Sequence, residues 1–313
     1  MSRWAVDLAE TAEINGCLQN IRIRTRSLSY PVLLFLHGGP GVVLKSCEPL
    51  TDCCTLVCWD QRGCGKSCTP ASLEEDFCID TFIEDARQVV KYLCRRLGKQ
   101  KIYIVGHSWG SILGVLLAQK HPEHIAAYVG MGQFCEGVEN ELLSYEFVLA
   151  EAERLGDRHA VRKLRAIGAP VEGRYKSKKD MRVQRDYLTR YGGGCWKKRE
   201  GIVKSILLPL VKTPEYRLTD LPLMVKGVLH SQECMVDEIV ALDFFRSVPE
   251  LTVPVVLTEG RHDQNTPASI AERWFKALKA PEKRWIWFED SAHSPIHEEP
   301  ERWCRELRTA LNF

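Results

Sequence analysis

One pentapeptide limits what this chain can become. Gly106-His107-Ser108-Trp109-Gly110 follows the apolar run 101–105 and precedes the helix-forming run 111–120. A G-x-S-x-G pattern between a strand and a helix predicts a turn so tight that a side chain at either glycine would strike the neighbouring strand or helix. Such a turn lifts the hydroxyl of Ser108 clear of the sheet edge and makes it the candidate nucleophile. It also aims the backbone N–H of Trp109 and the positive end of the following helix at any oxyanion formed nearby.

The rest of the sequence supplies the sheet that this turn needs. Residues 21–24, 32–36, 55–59 and 126–130 read as strands and 80–97 as a helix. Segments 32–36 and 102–105 are continuously apolar, the texture of strands buried on both faces. From about Phe134 to Phe245 the texture turns helical, over 139–155, 158–167, 178–191 and 218–230, with a break at Gly192-Gly193-Gly194. Strands return at 253–259 and 284–288, with helices at 268–278 and 301–311. The expected fold class is α/β: a mostly parallel central sheet flanked by helices, formed by residues 1–133 and 246–313. A helical cap of residues 134–245 interrupts it and can fold over the strand ends where ligands bind.

A serine hydroxyl needs a histidine to take its proton and a carboxylate to hold that histidine in the useful tautomer. With the nucleophile on a strand-turn-helix elbow, the chain order is serine, acid, histidine. Asp263, in Gly260-Arg261-His262-Asp263-Gln264, and His293, in Asp290-Ser291-Ala292-His293-Ser294, each follow a late strand. Both emerge at the edge where Ser108 emerges. Glu259 would lie inside a strand and Asp290 is three residues from His293; His262 precedes the acid and would point oppositely from it, His297 lies beyond a proline at the entry to the last helix, and His121, His124, His159 and His230 fall at helix ends or in the insertion. A second oxyanion donor belongs in a loop after an early strand. His37-Gly38-Gly39-Pro40-Gly41 follows strand 32–36, and the N–H of Gly39 is the expected partner of that of Trp109.

Composition narrows the function classes. The chain is 45% hydrophobic and 27% charged, with 43 Lys and Arg against 41 Asp and Glu, a net charge of +2. No nucleic-acid or anionic-membrane partner is expected from that balance. The basic stretch from Arg174 to Arg190 also holds Asp180 and Asp186 and reads as a solvated helix face. The N-terminal residues lack the apolar core of a signal peptide, and no run nears the roughly 20 residues that span a bilayer. A cytoplasmic location is expected. Seven of the 13 cysteines lie between Cys47 and Cys78, but their spacing is a poor match to a zinc site, and they read as reduced, mostly buried thiols.

The motifs His37-Gly38-Gly39-Pro40-Gly41, Asp60-Gln61-Arg62-Gly63-Cys64-Gly65-Lys66-Ser67, Gly106-His107-Ser108-Trp109-Gly110-Ser111, Gly260-Arg261-His262-Asp263 and Ala292-His293-Ser294 occur in that order. Together they resemble the proline iminopeptidase branch of the α/β-hydrolase superfamily. The resemblance implies an α/β-hydrolase fold with a helical cap, a Ser108-Asp263-His293 triad, and a structural turn at Asp60 and Arg62. It also implies cap glutamates that bind a substrate's free amine, for which Glu141, Glu146, Glu215 and Glu233 are candidates. Two departures stand out: His107 replaces the family's usual glycine, and Gly41-Val42-Val43-Leu44 is poorer in glycine than usual.

The expected activity is that of a serine hydrolase acting on a small acyl compound or short peptide, without metal or organic cofactor. An aminopeptidase releasing an N-terminal proline or other small residue comes first. An ester or lactone hydrolase is the alternative, favoured if Trp109, Phe134 and Phe244 line an apolar pocket, while Gly38 and Gly39, without side chains, would let the backbone come close to a substrate oxygen. A silent ligand-binding protein would lack a triad member, whereas all three are present; a cofactor-free lyase is the remaining rival.

Overall fold

The structure is a computed structural model describing residues 4–39, 45–197, 216–217 and 219–313, with the backbone alone for 45–48. Pro40, Gly41-Val42-Val43-Leu44, Cys47 as a side chain, Glu215 and Leu218 lie outside the described residues. Eight strands form one sheet in the order β1-β2-β4-β3-β5-β6-β7-β8. They are β1 (Val6–Ile14), β2 (Cys17–Thr25), β3 (Val32–Leu36), β4 (Thr55–Trp59), β5 (Ile102–His107), β6 (Ile125–Met131), β7 (Val255–Gly260) and β8 (Lys283–Phe288). Only β1 and β2 run antiparallel to their neighbours; from β4 through β8 every pairing is parallel.

The residue pattern explains the layers. Every residue of β3 is buried, as a continuously apolar strand covered on both faces must be, and β7 is buried along its whole length even though it carries Thr258 and Glu259. Strand β1, which the sequence reading does not place, alternates between exposed and less exposed positions at the sheet edge. It turns into β2 through Asn15 and Gly16, both at positive φ, the conformation that a two-residue hairpin turn requires. Helix α1 (Ile79–Leu97) buries Phe82, Ile83, Ala86, Val89, Val90 and Leu93, a stripe at helical spacing, and stops at Gly98 in the left-handed region. Helix α2 (Trp109–Lys120) is buried nearly all round.

The two glycines of the elbow are packing requirements. A Cβ on Gly106 would lie 2.3 Å from the carbonyl oxygen of Gly110, and one on Gly110 would lie 2.0 Å from that of Leu36. Backbone cannot yield as a flexible side chain does. Gly110→Ala should therefore destabilise the fold by about 3 kcal/mol or more, read in a denaturant melt. An unchanged midpoint would contradict this packing.

After β6 the chain leaves the sheet and returns at β7. The outgoing and incoming segments pair at Glu136 and Asp243, and backbone bonds join Gly137 to Leu242 and Phe244 to Cys135. Between them lie α3 (Gly137–Arg154), α4 (Arg158–Ile167), α5 (Lys178–Arg190) and α6 (Leu221–Val240), followed by α7 (Phe244–Ser247). Helices α3 to α5 share a small apolar core of their own, including Tyr145, Val148, Leu164 and Leu188. The basic stretch becomes α5, where Lys178 pairs with Glu233, Arg190 with Asp186, and the sheltered Arg185 with Glu141.

Among the described residues all twelve cysteines are free and seven are buried, five of them within the apolar clusters. No described helix is long and apolar enough to cross a membrane, and no three described His, Cys, Asp or Glu side chains converge as metal ligands would.

Candidate active site

Because β3 and β5 to β8 are parallel, the loops that follow them emerge on one edge of the sheet. Ser108 follows β5 and sits at φ 54°, ψ −119°, outside the conformations that a non-glycine residue ordinarily adopts. Its neighbours hold it there. Ser108 N donates to Met131 O at 3.0 Å, while Ser108 O accepts from Ser111 N at 2.8 Å and from Ser111 Oγ at 2.6 Å. Ser111 Oγ in turn accepts from Phe134 N, so the strained turn is tied to the loop after β6.

That loop brings the histidine alongside. Gly132, next to Met131, lies at φ 54° so close to His293 that a Cβ would sit 2.8 Å from the imidazole. Asp263, fully buried, places Oδ2 2.9 Å from His293 Nδ1. The carboxylate is itself fixed: Oδ1 accepts from Asn265 N at 2.8 Å and Thr266 N at 3.0 Å, and Oδ2 accepts from Thr266 Oγ1 at 2.9 Å. Helix α8 (Ala268–Ala277) follows that loop. The imidazole thus carries its proton on Nδ1 and presents a lone pair at Nε2. In this structure Nε2 accepts from Asn265 Nδ2 at 3.0 Å, and no hydrogen bond joins it to Ser108 Oγ.

Glu259, the alternative acid in β7, does not reach the histidine. It is wholly buried; Oε1 accepts from Gln133 N at 3.0 Å, and Oε2 has no hydrogen-bond partner among the described residues. Burial, reinforced by nearby Asp263, pushes its carboxyl well above the usual range, and through Oε1 it braces the loop after β6.

The loop after β3 lies against the elbow. Gly38 packs so closely that a Cβ would be 2.9 Å from both Ser108 Cβ and His107 Nδ1, whereas Gly39 opens into free space. Gln61 ties this loop to the base of α2: its N bonds to His37 Nε2 at 3.3 Å, its Nε2 to His37 O at 3.2 Å, and its Oε1 accepts from Trp109 Nε1 at 2.8 Å. The Trp109 ring therefore points into the core, edge-on to Phe82. Around Gln61, Asp60 accepts from Lys66 N and Tyr216 Oη, and Arg62 makes paired bonds to buried Asp85.

His37 has a pH consequence. Burial lowers its pKa to about 4, and its neutral form accepts from Gln61 N and bonds to Gly38 O at 3.1 Å. In the unfolded chain the same group titrates near 6.5. Between about 6.5 and 4 the unfolded state binds the extra proton, so acidification favours unfolding; the stability is fully present above 6.5 and is lost down to about 4. His37 alone should remove about 2 kcal/mol between about pH 7 and 5. Denaturant melts at both pH values should show a smaller acid loss in His37→Gln than in the native chain; equal losses would refute it. His107 is likewise kept neutral, mainly by burial; its Nε2 lies 3.1 Å from both His293 O and Ser294 Oγ.

The insertion touches the site at several points. Asn140 of α3 donates to Asn265 O, Gly193 O accepts from Gln264 N, and Trp196 stacks 3.5 Å from His262 at 7°. Of the residues proposed to contact substrate, Phe134 and Phe244 are buried edge-to-face in the main core, the latter also against Trp274. Glu146 is exposed on α3, Glu233 is exposed and paired with Lys178, and Glu141 is bonded to Arg185. Sequence reasoning missed Gln61, Gly132, Asn265 and Thr266. The last two stand within three residues of Asp263, a proximity that could have flagged them.

Comparison with known proteins agrees with this architecture. Residues 31–158 match the family model of the alpha/beta hydrolase fold. The chain is 32% identical over 310 residues to a protein of Bacillus subtilis named "Probable aminopeptidase YbaC", covering 97% of this chain and 96% of that one. It is 25% identical over 295 residues to a proline iminopeptidase of Clostridium botulinum, covering 90% and 89%. A solved structure of 2-hydroxy-6-oxo-6-phenylhexa-2,4-dienoate hydrolase from Rhodococcus sp. superposes with a TM-score of 0.66 over 98% of this chain and 99% of the other at 15% identity, a likeness of fold. Elbow, parallel sheet and near-full-length relatives agree: the chain belongs to the α/β-hydrolase family and is proline iminopeptidase-like within it.

Proposed function

We propose that this chain is a serine hydrolase in which Ser108, His293 and Asp263 form a triad that cleaves a small acyl substrate through an acyl-enzyme. The observation that carries this reading is the buried 2.9 Å bond between His293 Nδ1 and Asp263 Oδ2, set beside the strained elbow of Ser108. Ser108 Oγ attacks the substrate carbonyl while His293 Nε2 takes its proton. Asp263 holds the imidazole tautomer and the positive charge that forms on it. The N–H groups of Gly39 and of Trp109, the first residue of α2, bind the oxyanion. Collapse of the tetrahedral intermediate passes the proton from His293 to the leaving group. Water activated by the same nitrogen then releases the acyl group. Residues 134–245 act as the cap over these loops.

The named relatives favour an aminopeptidase that removes an N-terminal proline or other small residue. One observation bears on the ester or lactone reading: Glu233 is bound to Lys178 and Glu146 faces solvent, so neither offers a free amine an enclosed carboxylate, and of these three only the sheltered Glu141, bonded to Arg185 through Oε1, keeps a buried oxygen, Oε2, without a hydrogen-bond partner among the described residues. Comparing kcat/KM for prolyl and other aminoacyl arylamides with that for short acyl esters separates the two. The peptidase reading predicts arylamide turnover; ester turnover with none on arylamides would overturn it.

A further inference from the structure

The bond between Asn265 and His293 has a consequence for the resting enzyme. Once Nδ1 carries the proton, Nε2 has a single lone pair, which can accept from Asn265 or from Ser108 but not from both. It is spent on Asn265 Nδ2 at 3.0 Å. The ring cannot turn away to escape this choice, because Asp263 holds Nδ1 and Gly132 packs against the imidazole. The backbone of Asn265 is pinned as well, its N–H on Asp263 Oδ1 and its carbonyl on Asn140 Nδ2 of α3. Only the half-buried side chain is left to move, and a rotation about its own torsions frees the base without moving the loop.

We propose that Asn265 is a positioning residue that occupies the base nitrogen of His293 in the free enzyme and yields it to Ser108 when a substrate displaces the carboxamide. The idea rests on the triad reading. A carboxamide suits this task because it has both a donor and an acceptor end: Nδ2 bonds the neutral imidazole, and after rotation Oδ1 can accept from the imidazolium formed during acyl transfer. The gate is shallow. One ordinary hydrogen bond reduces the fraction of competent enzyme about fivefold, so Ser108 is slowed in the absence of substrate but not silenced.

The test is the second-order rate of Ser108 phosphonylation by a small alkyl fluorophosphonate, a probe too short to use the substrate's remote contacts. Asn265→Ala removes the competing donor while keeping the backbone contacts, and should label about three to ten times faster than the native chain near pH 7. Asn265→Ser, too short to reach Nε2, should do the same and stands in if the alanine variant folds poorly. Asn265→Asp should label more slowly near pH 7 and recover at higher pH, because a carboxylate accepts from protonated imidazole and keeps it charged. The other titratable groups near the imidazole are Asp263 on the loop after β7 and His107 at the end of β5, the latter kept uncharged mainly by burial; Glu259 in β7 lies against Asp263, its carboxyl pushed up by burial. Opposite signs at one position are not the outcome of a merely structural defect. Alanine or serine variants that fold and label at the native rate or slower would overturn the proposal. If the native chain labels no faster than Ser108→Ala, it is the triad reading that has failed.

Discussion

Ser108→Ala should lower kcat on any substrate that the enzyme turns over by about 10⁵-fold or more, with KM changed little. The size follows from what the elbow does. The turn holds the Ser108 hydroxyl, at a backbone conformation that costs energy, on the edge where Asp263 and His293 also emerge. The variant should fold as the native chain does, because Ser108 is held by its backbone N–H and carbonyl and not by its hydroxyl. Steady-state kinetics and a melting curve on the same preparation check both halves. Residual activity within a hundredfold of native would mean that another group attacks the substrate.

Asp263→Asn is expected to cost about 10⁴-fold in kcat, the order seen when a triad carboxylate becomes an amide. The cause can be followed atom by atom. Oδ1 of the new side chain can still accept from Asn265 N and Thr266 N, so the loop keeps its shape. The amide nitrogen then replaces Oδ2 opposite His293 Nδ1 and donates where the carboxylate accepted. The imidazole is driven to carry its proton on Nε2, and in that tautomer it cannot take one from Ser108. A loss of less than about tenfold would show that His293 is not held through Asp263. Asp263→Ala should lose stability as well, because two buried backbone N–H groups lose their acceptor.

Much of this site can be read from the chain alone, for a physical reason. Strands covered on both faces are rich in apolar runs, so β3 and the 102–105 stretch of β5 announce themselves, whereas the buried Thr258 and Glu259 of β7 do not. An elbow of this sharpness admits only glycine, as the 2.0 Å approach of a Gly110 Cβ to Leu36 O makes plain. Parallel strands then deliver Ser108, Asp263 and His293 to one edge. What stayed hidden depends on distant partners. Gln61 joins His37 to Trp109 across 24 and 48 residues, contacts that no local pattern encodes. Gly38 looks in sequence like room for a substrate oxygen, yet it packs beneath Ser108, while Gly39 faces open space. Trp109 looks like a pocket wall, yet Gln61 and Phe82 draw its ring inward. Helix α6 runs to Val240, beyond the expected end at His230, because Met235 and Val240 continue its buried face.

The covalent step is the centre of this account, and mass spectrometry tests it most directly. A fluorophosphonate-treated sample should gain one adduct mass, mapping to the peptide that contains Ser108 and absent from Ser108→Ala. An adduct on any other residue, or substrate turnover that survives without one at Ser108, would contradict it.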